Sequence, residues 1–218
     1  MSWRGRGGAL SVLAVVPARG GSKGLPGKNL RHVGGISLVG RAARLAASVA
    51  WIDHAVLSTD DPVIAAEGAR HGLDVPFMRP DVLASDAASS ADLAATMESL
   101  VAGGHRSAAT VSPTPAHFTP HKTLTVDDDG RVGFYRSDGA GYATRQRIPS
   151  FHHRNGLCYA VTRAALVEDG EIIGNDCAAV VIDRPVVNID DAFELEMAEW
   201  LLAREGTYES VATIRQIA

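Results

Sequence analysis

Three cations stand among glycines in the stretch Val15-Val16-Pro17-Ala18-Arg19-Gly20-Gly21-Ser22-Lys23-Gly24-Leu25-Pro26-Gly27-Lys28-Asn29. Glycines let successive backbone N–H groups turn toward one ligand at low steric cost, and Arg19, Lys23 and Lys28 add positive charge, so the stretch is suited to holding an anion. The apolar run Ser11 to Val16 in front of it reads as a buried parallel strand, which sets the loop at a strand's carboxyl end, where α/β sheets place their ligands. A glycine-rich turn without a ligand is the competing reading, and the cations and the preceding strand argue against it. Spacing excludes the two commonest phosphate loops. A Walker A loop needs Gly-x-x-x-x-Gly-Lys-Ser/Thr, but Ser22 stands where the first glycine belongs and Asn29 where the hydroxyl belongs. Gly20-Gly21-Ser22-Lys23-Gly24 likewise lacks the Gly-x-Gly-x-x-Gly spacing of a dinucleotide fingerprint. A phosphate loop of a third kind remains.

The other residues able to do chemistry sit at the ends of predicted elements. His54 to Ser58 reads as a strand ending in Asp60 and Asp61. Asp61 can cap a helix that begins at Pro62, whereas Asp60 has two readings, satisfying backbone donors at the strand end or lying near a nucleotide. Asp74 to Met78 is a third strand delivering Arg79, either a surface ion-pair partner or a nucleotide contact. Ser89 and Ser90 precede a helix over about Ala91 to Val101 and can cap it. Gly103-Gly104 ends that helix, and Ser107 to Val111 forms the next strand.

Further along, Lys122 to Val126 and Arg131 to Tyr135 form a hairpin signal with Asp129-Gly130 as its turn. The Asp127-Asp128-Asp129 triplet is a solvated turn, since the EF-hand pattern is absent. His152 and His153 are adjacent and point in different directions on any regular backbone, which argues against a metal pair. Leu157 to Val161 and Ala178 to Ile182 are strands. Asn188-Ile189-Asp190-Asp191 precedes a helix, Phe193 to Ala203, with Leu195, Ala198, Trp200, Leu201 and Leu202 as its expected buried face. Asp190 or Asp191 can cap that helix. The same oxygens suit Mg²⁺, which takes only one or two carboxylates and leaves its other positions to phosphate and water.

Composition bounds the rest. With 218 residues and 46% hydrophobic content, one α/β domain with a sizeable core is the default. A formal net charge of −4 gives no basic field for a nucleic acid, so a nucleotide fits better than a polymer. No uncharged apolar stretch reaches about 18 residues, which excludes a membrane helix. Arg4 and Arg6 before the apolar Ala9 to Ala14 imitate a signal peptide, yet cleavage near Ala18 would destroy the phosphate loop. Cys158 and Cys177 lack metal spacing and read as buried free thiols, suiting a reducing cytoplasm.

Pro17 to Asn29 closely resembles the signature of the acylneuraminate cytidylyltransferases, the CMP-sialic acid synthetases. The resemblance recurs at Ser58-Thr59-Asp60-Asp61, at Arg79-Pro80 with Leu83 to Ser90, at Arg154-Asn155-Gly156 and at Ile189-Asp190, covering most of residues 11–203 in the family's order. It implies a three-layer α/β/α fold with a mostly parallel, Rossmann-like nucleotidyltransferase sheet. Residues 1–218 would form a single domain, with about 115–154 as a β-rich dimerisation arm inserted in it. The implied reaction joins CTP and a nine-carbon sialic-type acid into a CMP-sugar and pyrophosphate in a cytoplasmic homodimer that uses Mg²⁺ or Mn²⁺.

Carried over by position, the resemblance implies catalytic roles for Lys28 and Arg19. It implies nucleotide contacts from Ala18, Arg19, Gly20, Gly21, Ser22, Lys23, Lys28, Asn29, Arg79, Ser89 and Ser90. It further implies sugar contacts from Lys122, Arg145, Gln146, Asn155 and Gly156, and a metal site at Asp190 and Asn188. Two departures stand out. Asn188 occupies a position where the family usually has Asp, and a strand–helix segment with a Gln-Pro-Thr-Ser-Pro motif, expected before Ser107, is missing; its loss should open the core and remove a sugar-contacting Gln. The alternatives are a same-fold enzyme for a legionaminate-, pseudaminate- or Kdo-like sugar, and a catalytically silent nucleotide-binding homologue.

Overall fold

The computed structural model describes residues 4–5, 8–9, 11–78, 90–142, 144 and 147–204. Its principal elements in chain order are β1 (Leu13–Pro17), α1 (Leu38–Ser48), β2 (His54–Ser58), α2 (Pro62–Arg70), α3 (Ser90–Gly103), β3 (Ser107–Pro113), β4 (Leu124–Val126), β5 (Val132–Phe134), β6 (His152–Val161), β7 (Cys177–Val181) and α4 (Ala192–Leu202). Two-residue strands pair at Arg4–Gly5 with Gly8–Ala9 and at His32–Val33 with Ile36–Ser37. The second pair turns through Gly34 and Gly35, whose φ values of +60° and +76° are those a tight hairpin demands.

The strands form two main sheets. In one, β1 and β2 run parallel, from Leu13 opposite His54 to Pro17 opposite Ser58. The expected strand Asp74 to Met78 survives only as isolated parallel bridges, Asp74 to Val56 and Met78 to Thr59, because Pro76 between them removes a ladder donor. In the other sheet β3 is central, with β7 parallel on one side and β6 antiparallel on the other.

Two sequence expectations are corrected at β1 and α4. Leu13 and Val15 are 58% and 54% exposed, so β1 is not the buried strand its apolar run promised. Leu13 and Val15 share one face of β1, whereas Val16 on the opposite face packs against the core, and a parallel strand is buried only where layers cover both of its faces. In α4, Leu195, Ala198 and Leu202 pack against Leu25, Val33, Leu38 and Ile189. Trp200, expected on that face, is 48% exposed and carries the Arg204 guanidinium 4.1 Å above its ring.

The helices begin where their caps are. Ser37 accepts from Gly40 N at the start of α1, and Asp61 accepts from Val63 N and Ile64 N at the start of α2, with Pro62 in the first turn. The buried residues of α1 are Leu38, Val39, Gly40, Ala43 and Ala46, with Val49 buried just beyond its end. Helix α2 comes close to β2 because Gly68 has no side chain; a methyl group there would strike Leu57. Burial is divided among several small clusters. Ala18, Val39, Leu57 and Ile64 form one, and Ala95, Leu157, Val180 and Ile182 form another beneath α3. Asp92 of α3, 1% exposed, is neutralised by Arg184 from the segment after β7.

The arm carries the β4–β5 hairpin, every residue of which is exposed. Its turn is longer than the two residues expected. Asp127 accepts from Asp129 N and Arg131 N, and Gly130 takes the left-handed conformation at φ +77°. At the arm's base His121, 4% exposed, lies against the rings of Tyr142 and Phe151. Both cysteines are free. Burial pushes the Cys158 thiol up to about 11, while Cys177 is half-buried and less enclosed than its sequence context suggested. Among the described residues no helix is long and apolar enough to cross a membrane.

The exposed edge of β1 sets a stability contrast. Val15→Lys should change the unfolding free energy by no more than about 0.5 kcal/mol, as at an ordinary surface position, whereas Leu57→Ala, 1% exposed on the paired strand, should cost about 2–5 kcal/mol. Denaturant midpoints of the two variants measure this; a Val15→Lys variant that fails to fold would mean that β1 is covered in solution.

Candidate nucleotide site

The phosphate loop begins as a continuation of β1. Ala18, 1% exposed, donates its N–H to Ser58 O at 3.0 Å, extending the β1–β2 ladder by one residue. The chain then turns, and three contacts fix it. Gly20 N donates to Asp60 Oδ1 at 2.9 Å, Asn29 Nδ2 donates to Arg19 O at 2.9 Å, and Ser22 N donates to Gly20 O at 3.1 Å. Asp60 therefore holds the loop's backbone, the structural of its two readings. Gly20 is packed against the Asp61 carboxylate so closely that any side chain would strike it. Asp61 in turn caps α2, so the loop, the end of β2 and the start of α2 are one interlocked unit.

Past the turn the chain enters a short 3₁₀ helix, Lys28–Leu30, preceded by Gly27 at φ +66°. Lys28 and Asn29 are each 8% exposed. The Lys28 ammonium lies 3.1 Å from Asp190 Oδ1. Gly24 packs against the Asp190 carbonyl oxygen, where even a methyl group would collide. Two contacts thus join the loop to a segment far away in sequence, and neither is readable from spacing. Arg19 and Lys23 are exposed, and among the described residues no carboxylate pairs with either. Two of the three loop cations are therefore open to a ligand.

The structure separates the two aspartates that the sequence left undecided. Asp191 caps α4: its carboxylate accepts from Glu194 N at 2.8 Å, and Glu194 Oε2 accepts from Asp191 N at 3.1 Å, a reciprocal capping box. Glu194 Oε2 also accepts from Asp190 N at 2.7 Å. Asp190 keeps its carboxylate for the loop. Ile189 is 6% exposed, between exposed Asn188 and Asp190, so the two oxygen-bearing side chains project from the chain while the residue between them anchors it in the core.

The donor set can be weighed against the expected divalent cation. Among the described residues no group of three or more His, Cys, Asp or Glu side chains could hold a metal by itself. One carboxylate and one carboxamide oxygen beside the glycine-rich loop fit a hard cation that keeps most of its shell as water and phosphate oxygen. Asp190 and Asn188 fit Mg²⁺ in that limited sense.

The remaining expected site residues divide into three groups. Arg79, Ser89, Arg145 and Gln146 lie outside the described residues, as does the side chain of Ser90. Lys122 is half-buried at the arm's base, and Gly156 takes φ +72° within β6. Asn155 is the one whose expected ligand contact the geometry does not favour. It is 2% exposed, its Nδ2 donates to Ser112 Oγ, and its Oδ1 accepts from Thr110 Oγ1 and Leu157 N. The carboxamide fills a break in the β6–β3 ladder between Arg154 and Tyr159, so Asn155 braces the sheet.

Comparison with known proteins bears on the same residues. A family model described as cytidylyltransferase matches residues 13–102, from β1 to the end of α3. The post-translational flagellin modification protein B of Campylobacter coli is 24% identical over 230 aligned positions, covering 89% of this chain and 96% of that protein. The CMP-N,N'-diacetyllegionaminic acid synthase of Campylobacter jejuni is 24% identical over 227 positions, covering 88% and 95%. Both alignments are longer than the 218-residue chain, so each relative has residues where this chain has none, in keeping with the missing strand–helix segment. Among solved structures, a CMP:2-keto-3-deoxy-manno-octonic acid synthetase complexed with CTP superposes with a TM-score of 0.64 at 18% identity, over 89% of this chain and 99% of that one, which establishes the nucleotidyltransferase fold. The family model's span holds the whole interlocked loop, from Ala18 through Asn29 to Asp60 and Asp61, so the loop and the elements that support it are where the chain is similar to the cytidylyltransferases.

Proposed function

We propose that the chain transfers the cytidylyl group of CTP to an acidic sugar of the nonulosonic type, releasing pyrophosphate. The observation that carries the reading is the junction of the glycine-rich loop with the Asn188–Asp190 segment through Lys28 and Gly24. It sets cations and hard oxygen donors on one small surface, which is what a triphosphate with its counter-ion needs. The relatives' names supply the acceptor: one is a legionaminic acid synthase and the solved neighbour handles a keto-deoxy-octonic acid, both sugars that carry a carboxylate.

In this reaction the anomeric hydroxyl of the sugar attacks the α-phosphorus of CTP and gives up its proton to solvent, a P–O bond forms to the sugar, and the bond to the β-phosphate breaks as pyrophosphate leaves. Charge grows on phosphate oxygens along the way, so positioned cations should carry most of the catalysis. Lys28 serves at the α-phosphate, with Arg19 and Lys23 along the phosphates and the amides of Gly20 and Gly21 near them. Asp60 and Asn29 keep that loop in shape. Mg²⁺, held by Asp190 and Asn188, would neutralise phosphate charge. Arg79, Ser89 and Ser90 are assigned to the nucleotide, and Lys122, Arg145, Gln146 and Gly156 to the sugar, by position in the family pattern. The β4–β5 arm exposes Leu124, Val126, Val132 and Phe134, an apolar surface on a polar hairpin that suits a partner subunit.

Two measurements test the transfer itself. Pyrophosphate release with CTP, Mg²⁺ and a panel of N-acetylneuraminate, N,N'-diacetyllegionaminate and 3-deoxy-manno-octulosonate should be positive for at least one sugar; silence with all of them would favour a nucleotide-binding protein without turnover. Lys28→Ala should lower turnover on the order of a hundredfold or more with the fold retained. Near-normal turnover would place Lys28 outside the chemistry.

The metal reading is checked by titration. Asn188→Asp restores one negative charge and should lower the Mg²⁺ concentration needed for half-maximal activity, while Asp190→Asn should raise it. An unchanged requirement in Asn188→Asp would remove Asn188 from the metal's surroundings. For the arm, Val126→Glu combined with Val132→Glu should convert a sedimenting dimer into monomer and weaken sugar binding more than CTP binding. A fully active wild-type monomer would exclude the partner role.

A further inference from the structure

We propose that the Lys28 ammonium is a resident counter-ion of Asp190, one that a divalent cation must displace and that a bound triphosphate draws away; the inference rests on the nucleotide and metal reading above. The protein then takes up metal together with nucleotide rather than ahead of it, and Lys28 regulates the site as well as serving in it.

The ion pair is asymmetric. The Lys28 side chain is 10% exposed and that of Asp190 73%, with Lys28 Nζ 3.1 Å from Asp190 Oδ1. One oxygen is thus given to a buried ammonium while the carboxylate as a whole faces solvent. A magnesium-sized ion sits about 2 Å from each oxygen it binds. On Oδ1 it would stand no more than about 5 Å from the ammonium, a separation at which like charges near a protein surface repel appreciably. On Oδ2 it would share a single negative charge with Lys28. By either route Asp190 holds one cation at the expense of the other.

Both backbones are fixed, so the adjustment falls on the lysine stem. Lys28 N donates to Leu25 O at 3.1 Å and Arg31 N donates to Lys28 O at 2.9 Å, while the neighbouring Asn29 is tied to Arg19 O. Asp190 N donates to Glu194 Oε2 at 2.7 Å, and the Asp190 carbonyl oxygen lies against Gly24. A lysine ends in a point charge with rotatable donors on a flexible four-carbon stem, so it can exchange a carboxylate oxygen for a phosphate oxygen while the main chain stays in place. A triphosphate on the glycine-rich loop offers the ammonium that second partner and adds oxygens to the metal's shell. Lys28 therefore opposes the metal alone and favours the two ligands together, and by linkage each raises the affinity for the other.

Two titrations test the two halves of the exchange. Mn²⁺ is the probe for the first, since it suits the same oxygen ligands and its free form is read directly by electron paramagnetic resonance. Without nucleotide, Lys28→Met and Lys28→Gln should each bind Mn²⁺ on the order of fivefold or more tightly than wild type, and adding Asp190→Asn should cancel the gain. In EDTA, the same two variants should bind CTP on the order of fivefold or more weakly by calorimetry. Two neutral replacements keep the test available if one of them folds poorly. Unchanged Mn²⁺ affinity in a folded variant overturns the exchange, as does unchanged CTP affinity in EDTA, and neither result touches the transfer reaction, which pyrophosphate release measures separately. A gain that survives Asp190→Asn puts the metal elsewhere and sinks the metal reading together with this inference.

Discussion

The contact between Lys28 and Asp190 is the constraint on which the site depends. It spans 162 positions of sequence and joins a loop on one sheet to the segment that leaves the other. A lysine only 8% exposed needs a partner, because an ammonium taken out of water without one is strongly disfavoured. Asp190 can be that partner because it is held from three sides. Ile189 is buried beside it, Glu194 accepts its backbone N–H, and Gly24 makes room for its carbonyl. The position of the Lys28 ammonium is thereby set by a helix cap and a glycine rather than by the loop alone.

Among the described residues the strands fall into separate sheets, and burial is divided in the same way. Leu13 and Val15 face solvent, and the apolar residues gather in separate clusters instead of one core. Helices bridge the parts. Leu38 and Val39, adjacent in α1, belong to different clusters, and α3 packs on all three strands of the second sheet. The ion pair between Asp92 and Arg184 ties α3 to the segment that carries the oxygen donors.

The loop after β1 and the break in β6 are held in different ways. The loop's own backbone and side chains close on one another through Asp60, Asn29 and Gly20. In β6 a side-chain network from Asn155 to Thr110 and Ser112 stands in for missing ladder bonds.

The sequence by itself determined the elements and the chemistry of the loop. Glycine spacing, Pro62 after Asp61, and the acidic stretch before α4 are local signals, and their consequences are local: a turn, a capped helix, a capping box. The tertiary structure decided what depends on distant neighbours. It exposed one face of β1, because burial of a strand's face depends on the layer packed over it. It assigned Asp191 to the helix and Asp190 to Lys28, because the two differ only in which partner the fold brings near. It also turned Asn155 inward, since the break it fills exists only when β6 meets β3. Local backbone preference is written in neighbouring residues, whereas the meeting of side chains across a fold is set by packing, and no spacing along one chain records it.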